Sequence, residues 1–212
     1  MYKVTIIDYG IGNILSVQRA FESFGAEVQL TDNPKKIEQA DRLVLPGVGA
    51  FADGMKGLQE RNLIETIRNF VSKERPFLGI CLGMQMMMES SQEFGIHSGL
   101  GIIKGSVVPI SSRGIEGRLH KSPVVGWYNL DKINSESWDG SILNEINDTD
   151  SVYFVHSFTS MPIDSQHRLA TYQYNGHQIT AVIRSGNAYG CQFHPEKSGQ
   201  VGLRILNSWC KL

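Results

Sequence analysis

The sequence predicts an α/β fold, a mostly parallel central sheet flanked by helices with an antiparallel β extension. Three observations carry the prediction. Through about residue 90, short apolar runs alternate with segments of helical spacing, the pattern of a parallel sheet covered on both faces. From about Gly99 the runs become short and β-like, separated by turn residues, with the hairpin signal Asn175-Gly176 between two of them. The chain has 212 residues, 41% hydrophobic and 19% charged, and shows no convincing linker, so residues 1–212 are expected to form one cored domain.

The elements follow in order. Val4–Ile7 reads as a buried strand. Asn13 then offers an N-cap, and Ile14, Val17, Phe21 and Phe24 recur at helical spacing until Gly25 stops the helix. Glu27–Thr31 is a second strand, and Asn33-Pro34 opens a short helix through Ala40. Arg42–Leu45 is a third strand ending at Pro46. A longer helix follows Gly54, with Leu58, Ile64, Ile67 and Val71 as its inner stripe. Pro76 breaks it, Phe77–Ile80 is a fourth strand, and Met84–Glu89 is helical with Met84, Met87 and Met88 inward.

The extension holds β-like runs at Ile102–Lys104, Val107–Ile110, Trp127–Ile133, Val152–Val155, Arg168–Tyr174 and Gln178–Arg184. Asn134–Asp150 is polar, a surface excursion with a short helix near Ile142–Ile146. Ala188–Phe193 is the last strand, and Val201, Ile205 and Trp209 mark a closing helix.

Composition removes several function classes. A net charge of -1 offers no bulk attraction for nucleic acid or a membrane surface. The opening MYKVTIIDYG is a strand rather than a signal peptide, and no apolar run nears the roughly 18 residues of a membrane span. A cytoplasmic location is expected. Three widely spaced cysteines give neither a disulfide framework nor paired metal-ligand spacing, so neither a metal nor another cofactor is expected. Gly10-Ile11-Gly12-Asn13 follows a strand, but Leu15 stands where a dinucleotide fingerprint needs its third glycine.

Cys81 has a setting the other two cysteines lack. Gly79-Ile80-Cys81-Leu82-Gly83 joins a strand to a helix as a nucleophile elbow, with cysteine in place of serine. Small neighbours two residues either side let strand and helix pass closely. The positive end of the helix favours thiolate, and the Leu82 N–H points toward a reacting carbonyl as half of an oxyanion hole.

A thiol nucleophile needs a base, and its leaving amine needs an acid. Phe193-His194-Pro195-Glu196 supplies both roles. Pro195 holds His194 extended, so Glu196 projects to the same side and can fix the imidazole tautomer. His97, His120, His167 and His177 lie in polar, loop-like contexts. Pro46-Gly47-Val48-Gly49 follows the strand expected beside the elbow strand, and the N–H of Val48 or Gly49 is a second oxyanion donor.

Asp8-Tyr9-Gly10-Ile11-Gly12-Asn13, Leu45-Pro46-Gly47-Val48-Gly49-Ala50-Phe51, Gly79-Ile80-Cys81-Leu82-Gly83-Met84-Gln85 and Phe193-His194-Pro195-Glu196-Lys197-Ser198 occur in this order across nearly the whole chain. Together they resemble the class I, triad-type glutamine amidotransferases, most closely the glutaminase subunits of imidazole glycerol phosphate synthase in histidine biosynthesis. The resemblance implies a nucleophile at Cys81, a base at His194 and its orienter at Glu196. It implies contacts to the glutamine substrate from Gly47, Gln85, Glu93, Ser157 and Phe158, the last standing where the family usually has tyrosine. It also implies a γ-glutamyl thioester, and ammonia passed to a synthase/cyclase partner built as a (β/α)₈ barrel.

One segment departs from the pattern. Pro123-Val124-Val125-Gly126-Trp127-Tyr128-Asn129 stands where these subunits usually read P-H-M-G-W-N. It faces the synthase in the family, so a paralogous glutaminase feeding a surface-sugar amidating synthetase is an alternative. A cysteine hydrolase of peptidase or deglycase type is the alternative from another class, sharing the elbow without needing Gln85.

Overall fold

A computed structural model of the chain describes residues 1–133 and 137–212. Its first half runs β1 (Lys3–Ile7), α1 (Ile14–Glu22), β2 (Glu27–Thr31), α2 (Pro34–Glu38), β3 (Leu43–Gly47), α3 (Phe51–Glu60), α4 (Ile64–Val71), β4 (Phe77–Cys81) and α5 (Leu82–Met86). The second half is mostly strand. It runs β5 (Met88–Ser91), β6 (His97–Ser98), β7 (Ile103–Pro109), β8 (Val124–Asn129), β9 (Asp131–Lys132), β10 (Ser151–His156), β11 (Phe158–Pro162), β12 (Arg168–Tyr174), β13 (His177–Ser185), β14 (Ala188–Cys191) and the closing helix α6 (Gly199–Cys210).

An eight-stranded sheet in the order β2-β1-β3-β4-β14-β13-β12-β9 forms the centre. Strands β2 through β14 in that order are parallel, and β13, β12 and β9 continue it antiparallel. The extension adds a β10-β8 pair and a four-stranded sheet β11-β7-β5-β6. The period of two along each strand divides the core between the two faces. Val4, Ile6, Val44, Leu78 and Ile80 pack on one face with Phe21 and Trp209, whose rings meet edge-on at 5.7 Å and dock α6 on α1. Ile7, Leu43, Leu45 and Phe77 pack on the other with Phe51, Leu58, Ile67 and Phe70 from α3 and α4.

Local chemistry explains several boundaries. Asn33 Oδ1 accepts from the N–H groups of Lys35 and Lys36, capping α2 behind Pro34. Asn175 and Gly176 both take positive φ, 48° and 83°, the requirement of the tight turn joining β12 to β13.

Other boundaries differ from expectation. The single helix after Gly54 is two, with Gly54 inside the first. The break is at Asn62, whose φ of 56° turns the chain so that Leu63 is fully buried. The helix expected over Met84–Glu89 stops at Met86, because Met88 pairs with Ile103 as the start of β5; all three methionines remain buried. Pro46 lies within β3, opposite Ile80. The runs at Ile102–Lys104 and Val107–Ile110 fuse into β7, and that over Trp127–Ile133 divides between β8 and β9. Turns replace the short helix near Ile142–Ile146, where Ile142 and Leu143 are fully buried and anchor the segment to the core. Residues 134–136 of that polar stretch lie outside the described residues. Among the described residues no helix is long and apolar enough to cross a membrane.

Candidate active site

β3, β4 and β14 are adjacent and parallel, so their carboxyl ends meet at one edge of the sheet, where open α/β folds bind ligands. Gly47 pairs with Cys81 and Ile80 with Cys191, which sets three functional segments side by side. Cys81 sits between β4 and α5 at φ 54°, ψ -108°, a strained conformation for a side-chain-bearing residue. The elbow tolerates no bulk on its helix side. A Cβ at Gly83 would lie 1.8 Å from the carbonyl oxygen of Leu45 in β3.

His194 follows β14 and is held from both sides of its peptide. Its N–H donates to Tyr153 O at 3.0 Å, and its C=O accepts from Ser198 Oγ at 2.7 Å. The imidazole Nδ1 donates to Glu196 Oε1 at 2.8 Å, with both side chains almost completely buried. Burial alone would lower the His194 pKa. Polar contact with the Cys81 side chain and the bond to Glu196 override burial and raise it to about 9. Nδ1 is committed to the Glu196 carboxylate, which leaves Nε2 for the Cys81 side chain.

These groups border a cavity of about 350 Å³ whose wall includes Val48, Gly49, Cys81, Leu82, Gln85, Glu93, Ser157, Phe158 and His194. A larger groove of about 790 Å³ along β1 and β2 contains no cysteine or histidine. Gly49 has φ 96°, so the turn after β3 presents its peptides in an orientation open to glycine. Gly47 itself is buried in β3 behind that turn, against Tyr9 and Leu82. Gln85 is buried, and its Nε2 donates to Phe158 O at 3.2 Å and Gln192 Oε1 at 3.1 Å. Glu93 Oε2 accepts from Phe51 N–H at 2.6 Å, capping α3 in place of Ala50, which has no polar side chain.

Three buried polar residues at the site escaped the sequence reading. Tyr9, within the Asp8–Asn13 motif, donates its hydroxyl to Pro46 O at 2.9 Å, just before the glycine turn. His156 is locked by two bonds. Its Nδ1 lies 2.7 Å from Phe158 O, which can only accept, so Nδ1 carries the proton and Nε2 accepts from Tyr172 Oη, also at 2.7 Å. Burial lowers its pKa to about 4, partly offset by the Phe158 carbonyl and reinforced by repulsion from His194. Gln192 touches both Gln85 and Cys81. Nothing marked Gln192 beyond its place two residues before the histidine.

The other cysteines are inert by burial, which pushes the Cys191 thiol far up and that of Cys210 to about 12. His167 and His177 bond backbone carbonyls, of Arg184 and Arg113, rather than standing free in solvent.

The family model for "Glutamine amidotransferase class-I" matches residues 5–210. The chain belongs to the class-I glutamine amidotransferases. Among full-length relatives of this glutamine amidotransferase, imidazole glycerol phosphate synthase subunit HisH 1 of Legionella pneumophila (strain Lens) is 55% identical, with 100% of each chain covered. The HisH subunit of Sulfurimonas denitrificans is 41% identical over 98% of this chain and 97% of that one. Solved structures extend the likeness at the level of fold. PurLQS from Thermotoga maritima superimposes with a TM-score of 0.75 at 20% identity, covering 100% of this amidotransferase and 99% of that chain. A glutamine amidotransferase from the same organism gives 0.63 at 21% identity, covering 99% and 83%.

Proposed function

We propose that this chain hydrolyses L-glutamine to glutamate and ammonia through Cys81, His194 and Glu196, as the glutaminase subunit of imidazole glycerol phosphate synthase in histidine biosynthesis. The row of sulfur, imidazolium and buried carboxylate is the observation that carries the catalytic reading. Full-length similarity to HisH subunits carries the pathway and favours it over the sugar-amidating alternative.

The thiolate attacks the side-chain amide carbon of glutamine. Charge developing on the amide oxygen is met by the N–H of Leu82 and by a second donor at Val48 or Gly49. The His194 imidazolium donates its Nε2 proton to the departing nitrogen, which leaves as ammonia. A γ-glutamyl thioester remains. Neutral His194 then takes a proton from water, the hydroxide adds to the thioester, and glutamate leaves as the thiolate and imidazolium are restored. Gln85, Glu93, Ser157 and Phe158 border the space for the amino-acid end of the substrate, with Gly47 supporting the turn from behind. No step calls for a metal or another cofactor.

Ammonia passes to a synthase/cyclase partner, which we take to be a (β/α)₈ barrel, with both proteins in the cytoplasm. Val125 and Trp127 stand exposed on β8 and offer a docking face. Tyr128 does not join them, since it packs inward against Phe154, Tyr172 and Tyr174.

Glutamate release is measured with the partner synthase present. Cys81→Ser should abolish it, and wild-type turnover in that variant would end the reading. Glu196→Gln should lower the rate less, by roughly 10²- to 10⁴-fold, since it disturbs only the support of the base. A glutamine-derived electrophile should label Cys81; labelling by peptide electrophiles alone would favour the peptidase or deglycase class.

A further inference from the structure

Gln192 is fully buried one residue past β14, and the mechanism above leaves it without a role. Its backbone N–H is fixed to Ala181 O at 2.8 Å. Its side chain bridges two parts of the site. Nε2 donates toward Cys81 Sγ at 3.8 Å, and Oε1 accepts from Gln85 Nε2 at 3.1 Å. We propose that Gln192 is a positioning residue that sets the Gln85 amide from the Cys81 sulfur, so that Gln85 offers an oxygen to the α-ammonium group of the substrate.

Matching donors to acceptors fixes the orientation of each amide. Gln192 turns the N–H end of its amide to the sulfur, which accepts. Its oxygen then faces Gln85, which must answer with N–H. The second hydrogen of that same Gln85 nitrogen goes to Phe158 O, which also only accepts. Both Gln85 N–H groups are thus spent, and Oε1 is what remains for the cavity that Gln85 lines. Reversing any one amide would set N–H against N–H or oxygen against oxygen in a buried space and leave polar groups unsatisfied there. An acceptor held this way suits a cationic nitrogen, and the Glu93 carboxylate on the same wall adds charge of the right sign. The other ionisable groups acting on the sulfur are His194 and the Tyr9 phenol, with Glu196 behind the imidazole.

This inference rests on the glutaminase reading for its substrate but not for its geometry, and the test separates the two. The wild-type and Gln192→Leu chains, each with the partner synthase, are compared on glutamine and on its analogue lacking the α-amino group. Cys81 alkylation by iodoacetamide is followed against pH in both. In Gln192→Leu the preference for glutamine over the analogue should fall about tenfold, one good hydrogen bond's worth. The alkylation profile should also change as the sulfur loses a donor. A folded Gln192→Leu chain with unchanged preference and alkylation profile overturns the proposal. If that variant does not fold, the side-chain amide NMR signals of Gln192 in the wild-type chain decide. They should shift as Cys81 ionises, and signals indifferent to the thiol overturn the proposal. A wild-type complex without glutaminase activity would sink the substrate reading alone, because the alkylation profile still tests Gln192.

Discussion

The two buried histidines by the cavity are tuned in opposite directions, and their effects on stability have opposite signs. His194 is raised to about 9, so the stability it contributes is complete below its unfolded pKa near 6.5 and is lost as pH rises through about 9. His156 is lowered to about 4, so its contribution is present above about 6.5 and is lost as pH falls toward about 4, worth on the order of 3 kcal/mol across that window. Urea unfolding of the wild type between pH 4 and 7 should show this acid loss, and His156→Gln should flatten it. An acid limb equally steep in the variant would refute the assignment. Of the residues involved, Cys81, His194 and Glu196 could be read from sequence because an elbow and an extended H-P-E segment constrain the backbone. His156, Tyr9 and Gln192 could not, since each acts through a partner more than ten residues away that only the fold supplies.

Among elements, the short segment from His194 to Ser198 holds the imidazole on very little structure. Ser198 Oγ accepts from Tyr153 N–H at 3.0 Å while donating to His194 O, tying the turn to β10. Ser198→Ala removes both bonds in a buried place and should cost about 1–3 kcal/mol in urea unfolding, with kcat falling more than KM rises. Equal loss in both constants would place Ser198 in substrate binding instead. The elbow is the second sensitive element. Gly83→Ala drives a methyl into the Leu45 carbonyl and should destabilise by about 3 kcal/mol or more. Most elements were legible from periodicity, and β2 matches its expected limits residue for residue. Misjudged limits have physical causes. The break at Asn62 depends on burying Leu63, and the end of α5 depends on pairing between Met88 and Ile103, neither of which a local pattern encodes.

On the scale of the whole molecule, the ladder between β4 and β14 runs through the middle of the eight-stranded sheet, with further strands on both sides. Amide hydrogen exchange should be slowest over 77–81 and 188–191, opening only with global unfolding. It should be fast at Val48, which is 38% exposed in the turn after β3. Fast exchange in the central strands would show that the sheet opens locally. The ladder also ties the enzyme's working lifetime to its thermodynamic one. Partial melting at the rim can displace the turn after β3 and be reversed, but separating sulfur from imidazole means tearing the sheet down the middle. Heat inactivation should therefore track loss of the native sheet, with no long-lived, intact-looking species in which Cys81 and His194 have parted.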